Sequence, residues 1–346
     1  MRIWTRIKSY QADPGRPLVL ALGNFDGVHR GHQEILKRVR DQAGNRNGIA
    51  AVLTFSEHPQ RILHPQKGPP LLTSPQHRLS LFNPLGIELC FLLPFTREFA
   101  KIRPEVFVKE WLVECLQVKE VHLGYNAHFG VNRSGDGRLV KKLSKSLGFD
   151  FHEAEPLKLN GEFVSSSLIR RLIQEGDLLE AEMFLGRPFS IFASVVHGSG
   201  RGKSLGFPTA NLQSHSEILP PMGVYPVELK ENRFHLKPIT RGEEYEYESE
   251  KPGKWRQGIL NYGRRPTFGD TQKEIPEVFL FDFEGSLYGK TVEVRFYPRL
   301  REERQFDSPS RLAEAIKQDV FEAQQYFGRA YASKFFQVRP PDKLGP

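Results

Sequence analysis

Apolar residues in the first half of the chain occur in short runs that alternate with helical patterns. The runs have the length of strands and lie at residues 18–22, 49–55, 87–93, 120–124 and 149–154. Helical spacing joins them over residues 33–43, 105–116 and 139–147, and two further helices are expected at 167–174 and 178–185. Strands that alternate with helices predict a parallel sheet covered by helices, which is an α/β fold.

The pattern changes at residues 186–188. Beyond this point short strands rich in Val, Phe and Tyr are interrupted by Gly and Pro, and we expect them at 189–196, 223–229, 257–260, 277–283 and 291–296. Their close spacing predicts an antiparallel sandwich or barrel. A helix should begin after Asp307-Ser308-Pro309 and pack on this part. We therefore divide the chain into two domains, 1–186 and 187–346.

One segment, residues 230–254, does not follow the strand pattern of the second domain. It is rich in charged side chains and has little hydrophobic periodicity. Such a segment is either a long exposed loop or an extended hairpin. The sequence leaves open whether it acts as a lid or as a partner surface, or has no role.

Composition and charge exclude several classes of protein. The chain has 346 residues, of which 39% are hydrophobic and 26% charged, so it contains enough apolar material for folded cores. Its longest apolar runs are too short to span a membrane, and the first ten residues lack the apolar region of a secretory signal, so we expect a cytoplasmic protein. The net charge of +8 is spread over both halves, so neither a nucleic acid nor a membrane is an expected partner.

The chain contains only two cysteines, Cys90 and Cys115. Two cysteines provide neither a disulfide framework nor a four-cysteine zinc site. Cys90 lies in an apolar run, which predicts a buried thiol without redox chemistry.

The first candidate site is the segment 23–32, which reads GNFDGVHRGH and lies where the first strand passes into the first helix. The N-terminus of such a helix favours phosphate through its free N–H groups and its dipole. Glycine allows a ligand to approach the backbone, and His29 and His32 can face the same oxygen atoms. A single histidine at a helix start is more often structural, but the combination with Gly23 and Gly31 favours phosphate chemistry.

A second phosphate-binding candidate, VSSSLIR, occupies residues 164–170. Serines at the start of a helix and Arg170 one turn later supply hydroxyl, amide and guanidinium donors for a triphosphate or a pyrophosphate. Taken alone, the serines would be an ordinary helix cap. Together with the histidine segment they predict phosphate binding.

The second domain carries the glycine-rich basic segment 197–204, HGSGRGKS. It is not a P-loop, because His197 stands where the first glycine is required and Pro208 would disrupt the helix that should follow. Its backbone amides can still surround phosphate groups. The oxygen atoms of Thr209 and Asn211 suit magnesium, although a simple turn remains an alternative for these two residues.

These motifs resemble one known family. GNFDGVHRGH resembles the HxGH motif of nucleotidyltransferases, and in its full length the adenylyltransferase module of bacterial bifunctional riboflavin kinase/FAD synthetases. Residues 197–211 resemble the GxxxGxPTAN-type signature of riboflavin kinases. Further segments that match in order are Thr54-Phe55 with His58-Pro59, Leu72-Thr73, and Gly124-Tyr125-Asn126 with Phe129-Gly130.

The resemblance covers nearly the whole chain and implies both a fold and a function. The expected fold is an α/β nucleotidyltransferase domain (Rossmann-like, HxGH type) followed by a mainly antiparallel β-barrel riboflavin kinase domain with a C-terminal helix. The expected reactions are phosphorylation of riboflavin to FMN by ATP and adenylylation of FMN by ATP to FAD, with release of pyrophosphate. The expected cofactor is Mg²⁺, and the expected partners are riboflavin, FMN and ATP.

The resemblance also implies roles for individual residues. His29, His32 and Arg170 would be catalytic, and Glu277 would be the general base that takes the proton from the ribityl 5′-hydroxyl. ATP or phosphate contacts are expected at Gly23, Asn24, Phe25, Asp26, Gly31, Ser165, Ser166, Ser167, Gly198, Gly200, Gly202, Lys203 and Gly206. Flavin contacts are expected at His58, Pro59, Asn126, Phe129, Arg301 and Phe306, and metal ligands at Thr209 and Asn211.

Two positions depart from the family pattern. Ala127 stands where the family usually has an aromatic residue, and Ser167 stands where threonine is usual. These departures leave open that only one activity is retained or that the nucleotide is transferred to a different phosphate. The net positive charge leaves open a flavin-binding or nucleic-acid-binding regulator built on the same folds.

Overall fold

A parallel sheet lies at the centre of the first domain in a computed structural model that describes residues 1–197, 206–215, 218–232, 234–239, 243–249, 253–265 and 273–336. Its parallel strands are β1 (Arg2–Trp4), β2 (Leu18–Leu22), β3 (Ile49–Phe55), β4 (Leu89–Leu93), β5 (Val118–Gly124) and β6 (Asp150–Ala154). Their order is β1-β4-β3-β2-β5-β6. A short hairpin, β7 (Lys158–Leu159) and β8 (Glu162–Phe163), follows the sheet along the chain.

Helices cover both faces of this sheet. They are α1 (Arg30–Asn45), α2 (Pro59–Leu63), α3 (Pro75–Phe82), α4 (Pro104–Val106, continued by a π-helix at Phe107–Cys115), α5 (Gly137–Leu147), α6 (Ser166–Glu175) and α7 (Leu178–Leu185). Single 3₁₀ turns lie at Ile7–Ser9, Asn83–Leu85, Phe99–Lys101 and Val131–Arg133. Every residue of β2 and β3 is buried, as expected for strands covered on both faces. The predicted α/β fold is confirmed.

A closed antiparallel barrel forms the second domain. Its strands are β9 (Ser190–Val196), β10 (Ala210–Ser214), β11 (Gly223–Glu231), β14 (Arg256–Arg265), β15 (Lys273–Leu280) and β16 (Thr291–Phe296), in the order β10-β15-β14-β11-β16-β9. The C-terminal helix, Pro309–Phe336, packs Ala323 and Phe327 against Val224 and Ile259 on the outside of the barrel. Of the two predicted arrangements, the barrel is therefore the one that forms.

Within residues 230–254, the described residues form an extended hairpin that crosses to the other domain. Its strands are β12 (Phe234–Pro238) and β13 (Glu244–Ser249), and β13 pairs antiparallel with β1, with Trp4 opposite Glu244. Just before β13, the Glu243 carboxylate accepts hydrogen bonds from the Arg6 guanidinium at 2.9 Å and from the Ser9 hydroxyl. The hairpin thereby extends the sheet of the first domain to eight strands.

Two helices that follow the sheet share a hydrophobic core with the barrel. Ile173 of α6 and Phe184 of α7 are fully buried in the same cluster as Tyr225 and Val294 of the barrel strands. The sequence predicts these two helices but not what covers them. The boundary at residues 186–188 stays a prediction.

Tyr247 provides a test of the contact between the hairpin and the first domain. Its side chain is buried in the core of the first domain, and its backbone N–H donates to the Met1 carbonyl at 2.8 Å. We expect Tyr247→Ala to lower the free energy of unfolding by about 3 kcal/mol, measured by urea denaturation, because a buried aromatic side chain is lost. Glu248→Ala, at an exposed position of the same strand, is the matched control and should leave stability unchanged. Equal stability of both variants would contradict a stabilising role for the hairpin.

Candidate functional sites

The loop between β2 and α1 brings His29 and His32 into direct contact. Their rings stack with centroids 3.6 Å apart and planes 15° from parallel. His29 caps the helix, since its Nδ1 accepts the N–H of His32 at 3.3 Å. A Cβ at Gly31 would lie 3.4 Å from the His29 ring, so the backbone of Gly31 passes close to this imidazole. The two imidazoles therefore lie side by side at the start of the helix.

Burial keeps both imidazoles neutral. It lowers the pKa of His29 to about 4, an effect that Asp26 opposes and Arg187 reinforces, and it lowers the pKa of His32 well below its ordinary value, with His29 and Arg78 adding to the shift. His32 Nδ1 is buried and has no hydrogen-bond partner among the described residues. A buried ring nitrogen without a partner costs free energy. Neutral imidazoles can donate hydrogen bonds to phosphate oxygen atoms.

The beginning of the loop is held tightly against the sheet. The Gly23 N–H donates to the Leu53 carbonyl at 3.1 Å, and the Asn24 carbonyl accepts the Arg78 guanidinium at 2.6 Å. Phe25 is buried and has a φ of +50°, and its ring packs at a steep angle against the His32 ring, with the centroids 5.1 Å apart. These contacts fix the backbone from which the two histidines project.

Asp26 connects three segments of the site. Its carboxylate is 2% exposed and accepts the N–H groups of Leu72 and Thr73, both at 3.1 Å. It also accepts Nη2 of Arg170 at 2.5 Å. Arg170 in turn donates from Nε to the Pro70 carbonyl at 2.8 Å. Asp26 therefore contacts Arg170 and the 70–73 segment.

Arg170 has one edge held and one edge available. Its Nε and Nη2 are hydrogen-bonded, whereas Nη1 has no hydrogen-bond partner among the residues that the structure describes.

The serines at the start of α6 differ in their contacts. Ser165 caps α6 by accepting the Leu168 N–H at 3.2 Å, and the Ser166 hydroxyl donates to the Asp26 carbonyl at 2.8 Å. Ser167 is exposed. The arrangement can present a guanidinium edge, a helix N-terminus and a hydroxyl to an anion.

A cavity of about 450 Å³ lies beside this site. Its lining includes His58 and Arg61 from the first domain and His215 from the barrel. His58 caps α2, in which Pro59 is the first residue, and burial lowers the pKa of His58 to about 4. The cavity is thus lined by groups from both domains.

The loop after β5 carries the other flavin candidates of this domain. Asn126 is exposed, and the Phe129 ring contacts the Phe107 ring at 5.6 Å. Ala127 packs against the sheet core.

Three residues near the site were not assigned to it from the sequence. Tyr125 and Phe163 are exposed aromatic side chains with centroids 6.3 Å apart. Arg78 is buried and donates to the carbonyls of Asn24 and Phe55. The position of Arg78, one turn into a helix that follows Leu72-Thr73, was the available signal.

The barrel brings three predicted residues of the kinase site together. Thr209 donates its hydroxyl to Glu277 Oε2 at 3.2 Å, and Asn211 lies opposite Glu277 in the β10–β15 pair. Gly206 has a φ of +83°, a conformation that favours glycine. The predicted phosphate-binding residues Gly198, Gly200, Gly202 and Lys203 lie outside the described residues.

Arg301 and Phe306 lie in the segment before the C-terminal helix. The Arg301 guanidinium forms two hydrogen bonds to buried Asp319, at 2.7 and 2.8 Å, and lies 5.7 Å from the Phe306 ring. Arg301 thereby fixes this segment to the helix. Its role in flavin binding stays a prediction.

The oxygen groups of Thr209, Asn211 and Glu277 suit a hard divalent cation such as magnesium. Within the described ranges, no group of three or more His, Cys, Asp or Glu side chains is arranged to hold a metal ion. Cys90 is buried, as predicted, and burial raises the pKa of its thiol to about 12.

Comparison with known proteins identifies both halves. Residues 12–168 match the family model described as FAD synthetase, and residues 185–327 match the one described as riboflavin kinase. An HxGH-type α/β domain joined to a flavin kinase barrel defines a two-domain phosphotransferase and nucleotidyltransferase. The chain belongs to the bifunctional riboflavin kinase/FMN adenylyltransferase family.

Curated relatives of that name cover most of the chain. The protein from Haemophilus influenzae is 33% identical over 89% of this chain and 94% of its own length. The one from Escherichia coli K12 is 32% identical over 95% and 98%, and the one from Bacillus subtilis is 34% identical over 89% and 92%. A solved structure from Streptococcus pneumoniae, titled as a macrolide-efflux protein, is 27% identical with a TM-score of 0.73 and covers 92% of this chain and 96% of its own. In the part of this chain that the structure describes, no helix is both long and apolar enough to cross a membrane.

Proposed function

We propose that the α/β domain transfers the AMP part of ATP to FMN and that the barrel phosphorylates riboflavin, so that one chain makes FAD in two steps. The observation that carries this proposal is the convergence of the stacked His29–His32 pair and Arg170 at the end of the parallel sheet where the phosphate motif lies. Ligands bind at this edge in open α/β sheets. The barrel, which carries the flavin kinase motif, makes the FMN that the first domain consumes.

In the adenylylation step, a phosphate oxygen of FMN forms a bond to the α-phosphorus of ATP, and the bond to pyrophosphate breaks. The catalytic requirement is to hold two anions in line and to stabilise the charge that develops. Neutral His29 and His32 donate hydrogen bonds to phosphate oxygen atoms, and the Nη1 edge of Arg170 adds positive charge. Ser165, Ser166, Ser167 and the amide of Gly31 contact the phosphates, whereas the Gly23 N–H is already bonded to the Leu53 carbonyl.

Asp26 has a different role from the one expected from its position in the motif. Its carboxylate is buried and already accepts hydrogen bonds from Leu72, Thr73 and Arg170. A second anion beside it would be repelled. We therefore assign Asp26 to orienting Arg170 rather than to direct contact with phosphate.

In the kinase step, the ribityl 5′-oxygen of riboflavin forms a bond to the γ-phosphorus of ATP, and the bond to ADP breaks. Glu277 accepts the hydroxyl proton as general base. The Thr209 hydroxyl orients this carboxylate through its 3.2 Å hydrogen bond. Thr209 and Asn211 would hold Mg²⁺, which neutralises phosphate charge when bound.

The pH dependence of FAD formation tests the neutral histidine pair. Because the pKa of His29 is about 4, the pair stays neutral above this value, and we expect kcat to show no histidine ionisation between about pH 6 and pH 8. The rate should fall only as the pH approaches 4. The same shift makes the folded chain less stable as the pH falls from 6.5 to about 4, because only the unfolded chain then binds the proton. A break in the kcat profile near pH 6.5 that is absent in His29→Asn would contradict the neutral pair.

The activity itself is tested with purified full-length protein, riboflavin, ATP and Mg²⁺, with flavins separated by chromatography over time. FMN followed by FAD is the expected result. FMN alone would mean that the first domain is inactive or has another acceptor, and the absence of both products would favour a binding protein. Retention on immobilised RNA at physiological salt would favour a nucleic-acid-binding regulator, and we expect none in the cytoplasmic enzyme that we propose.

A further inference from the structure

The segment of residues 70–78, here called the bridging segment, lies between the barrel and the loop that carries the histidine pair. It includes the start of α3, where Ser74 caps the helix by accepting the His77 N–H. Leu72 and Thr73 are almost fully buried, with 2% and 1% exposure. The bridging segment is therefore enclosed by both domains, and its position depends on both.

On one side the bridging segment contacts the barrel at two places. The Ile218 N–H donates to the Leu71 carbonyl at 2.8 Å, and the Ile218 side chain is buried in the same cluster as Leu72. Further along, the His77 ring stacks on the Phe192 ring with centroids 4.3 Å apart. His77 Nε2 also lies 3.4 Å from the Ser190 hydroxyl and 3.7 Å from the Glu293 carboxylate. A backbone hydrogen bond, shared apolar burial and the stacking and polar contacts of His77 thus fix the segment from the barrel side.

On the other side the bridging segment holds the phosphate residues. Leu72 and Thr73 donate their N–H groups to Asp26, and the Pro70 carbonyl accepts Nε of Arg170. The Gly27 N–H donates to the Thr73 hydroxyl at 3.0 Å. Gly27 has no room for a side chain, since a Cβ would lie 2.8 Å from Leu72. A displacement of the bridging segment would therefore displace Arg170 and the loop before His29.

We propose that the kinase barrel positions Arg170 for adenylylation through the bridging segment, which makes Ile218 a positioning residue for the reaction of the other domain. The proposal rests on the adenylyltransferase function proposed above. Arg170 must face the charge that develops in the transition state, so a small displacement lowers kcat more than it alters FMN binding. The two domains are then coupled in structure even though each has its own substrates.

The experiment compares Ile218→Ala with wild type in the full-length protein, measuring both reactions. We expect kcat for FAD formation from supplied FMN to fall about tenfold, the size of a typical coupling between sites, while KM for FMN and the kinase rate stay the same. Ile218→Val should restore most of kcat, because it keeps the branched side chain. Ile259→Ala is the matched control: it removes the same atoms from a buried isoleucine of the barrel that faces the C-terminal helix, and it should leave FAD formation unchanged.

A second variant keeps the test decisive if Ile218→Ala does not fold. Phe192→Leu removes the ring stacked on His77 and should give the same pattern, with slower adenylylation and normal kinase activity. Unchanged FAD formation in the folded variants would overturn the proposal, as would an equal loss of both activities. Wild-type protein that makes no FAD would instead refute the proposed function, so the two failures are distinguished.

Discussion

Replacing His32 with alanine is expected to slow FAD formation from supplied FMN by about 10²–10³-fold in kcat, the loss observed when one preorganised donor to a transition-state anion is removed. His32 Nδ1 is buried without a partner among the described residues. The ring is held by its stack on His29 and by its T-shaped contact with the Phe25 ring. Both contacts fix the donor before substrate binds, so little reorganisation is needed during the reaction.

The His32 prediction is measured with FMN and ATP as substrates and with chromatographic detection of FAD. Kinase activity in the same preparation reports whether the chain is folded. His64→Ala, which removes an exposed histidine after α2, is the control and should retain full activity. FAD formation at the wild-type rate by folded His32→Ala would remove His32 from the mechanism.

The second large effect is expected for Glu277→Gln, which should lower riboflavin phosphorylation by about 10²–10⁴-fold, the usual contribution of a general base. Glutamine keeps the shape of the side chain and can keep the hydrogen bond from Thr209, but it cannot take up the proton of the ribityl hydroxyl. FAD formation from supplied FMN should be unaffected, because the altered residue lies in the barrel.

The assay for Glu277→Gln follows FMN formation from riboflavin and ATP. Glu284→Gln, at an exposed position in the same domain, should behave as wild type. A folded Glu277→Gln protein with full kinase activity would show that another group takes the proton, or that the reaction needs no base at this position.

The sequence predicted most of the sheet and the barrel because their strands are marked by local patterns. Continuous apolar runs marked β2 and β3, and each was found at the predicted residues. β1 gave no such signal, because three residues are too short to show a period. Its partner β13 lies far along the chain, and strand pairing at this distance leaves no mark in either segment.

The candidate site shows the same division between local and distant information. The spacing of His29 and His32 is local, since one helical turn brings the two rings together. The role of Asp26 depends on Leu72, Thr73 and Arg170, which reach it only through the fold. The motif indicates that Asp26 belongs to the site, but only the tertiary structure shows that its carboxylate is already occupied.

The hairpin that pairs with β1 has a consequence for how the chain folds during synthesis. The outer edge of β1, which contains Trp4, stays unpaired until β13, which contains Glu244, has been synthesised. At about 5–20 residues per second, a ribosome needs on the order of tens of seconds to make the intervening chain. During this interval the first domain exposes an unpaired strand edge, which is a site for pairing with other chains. Translation speed and chaperone access in this interval therefore affect the yield of native protein, even though the finished molecule covers the edge.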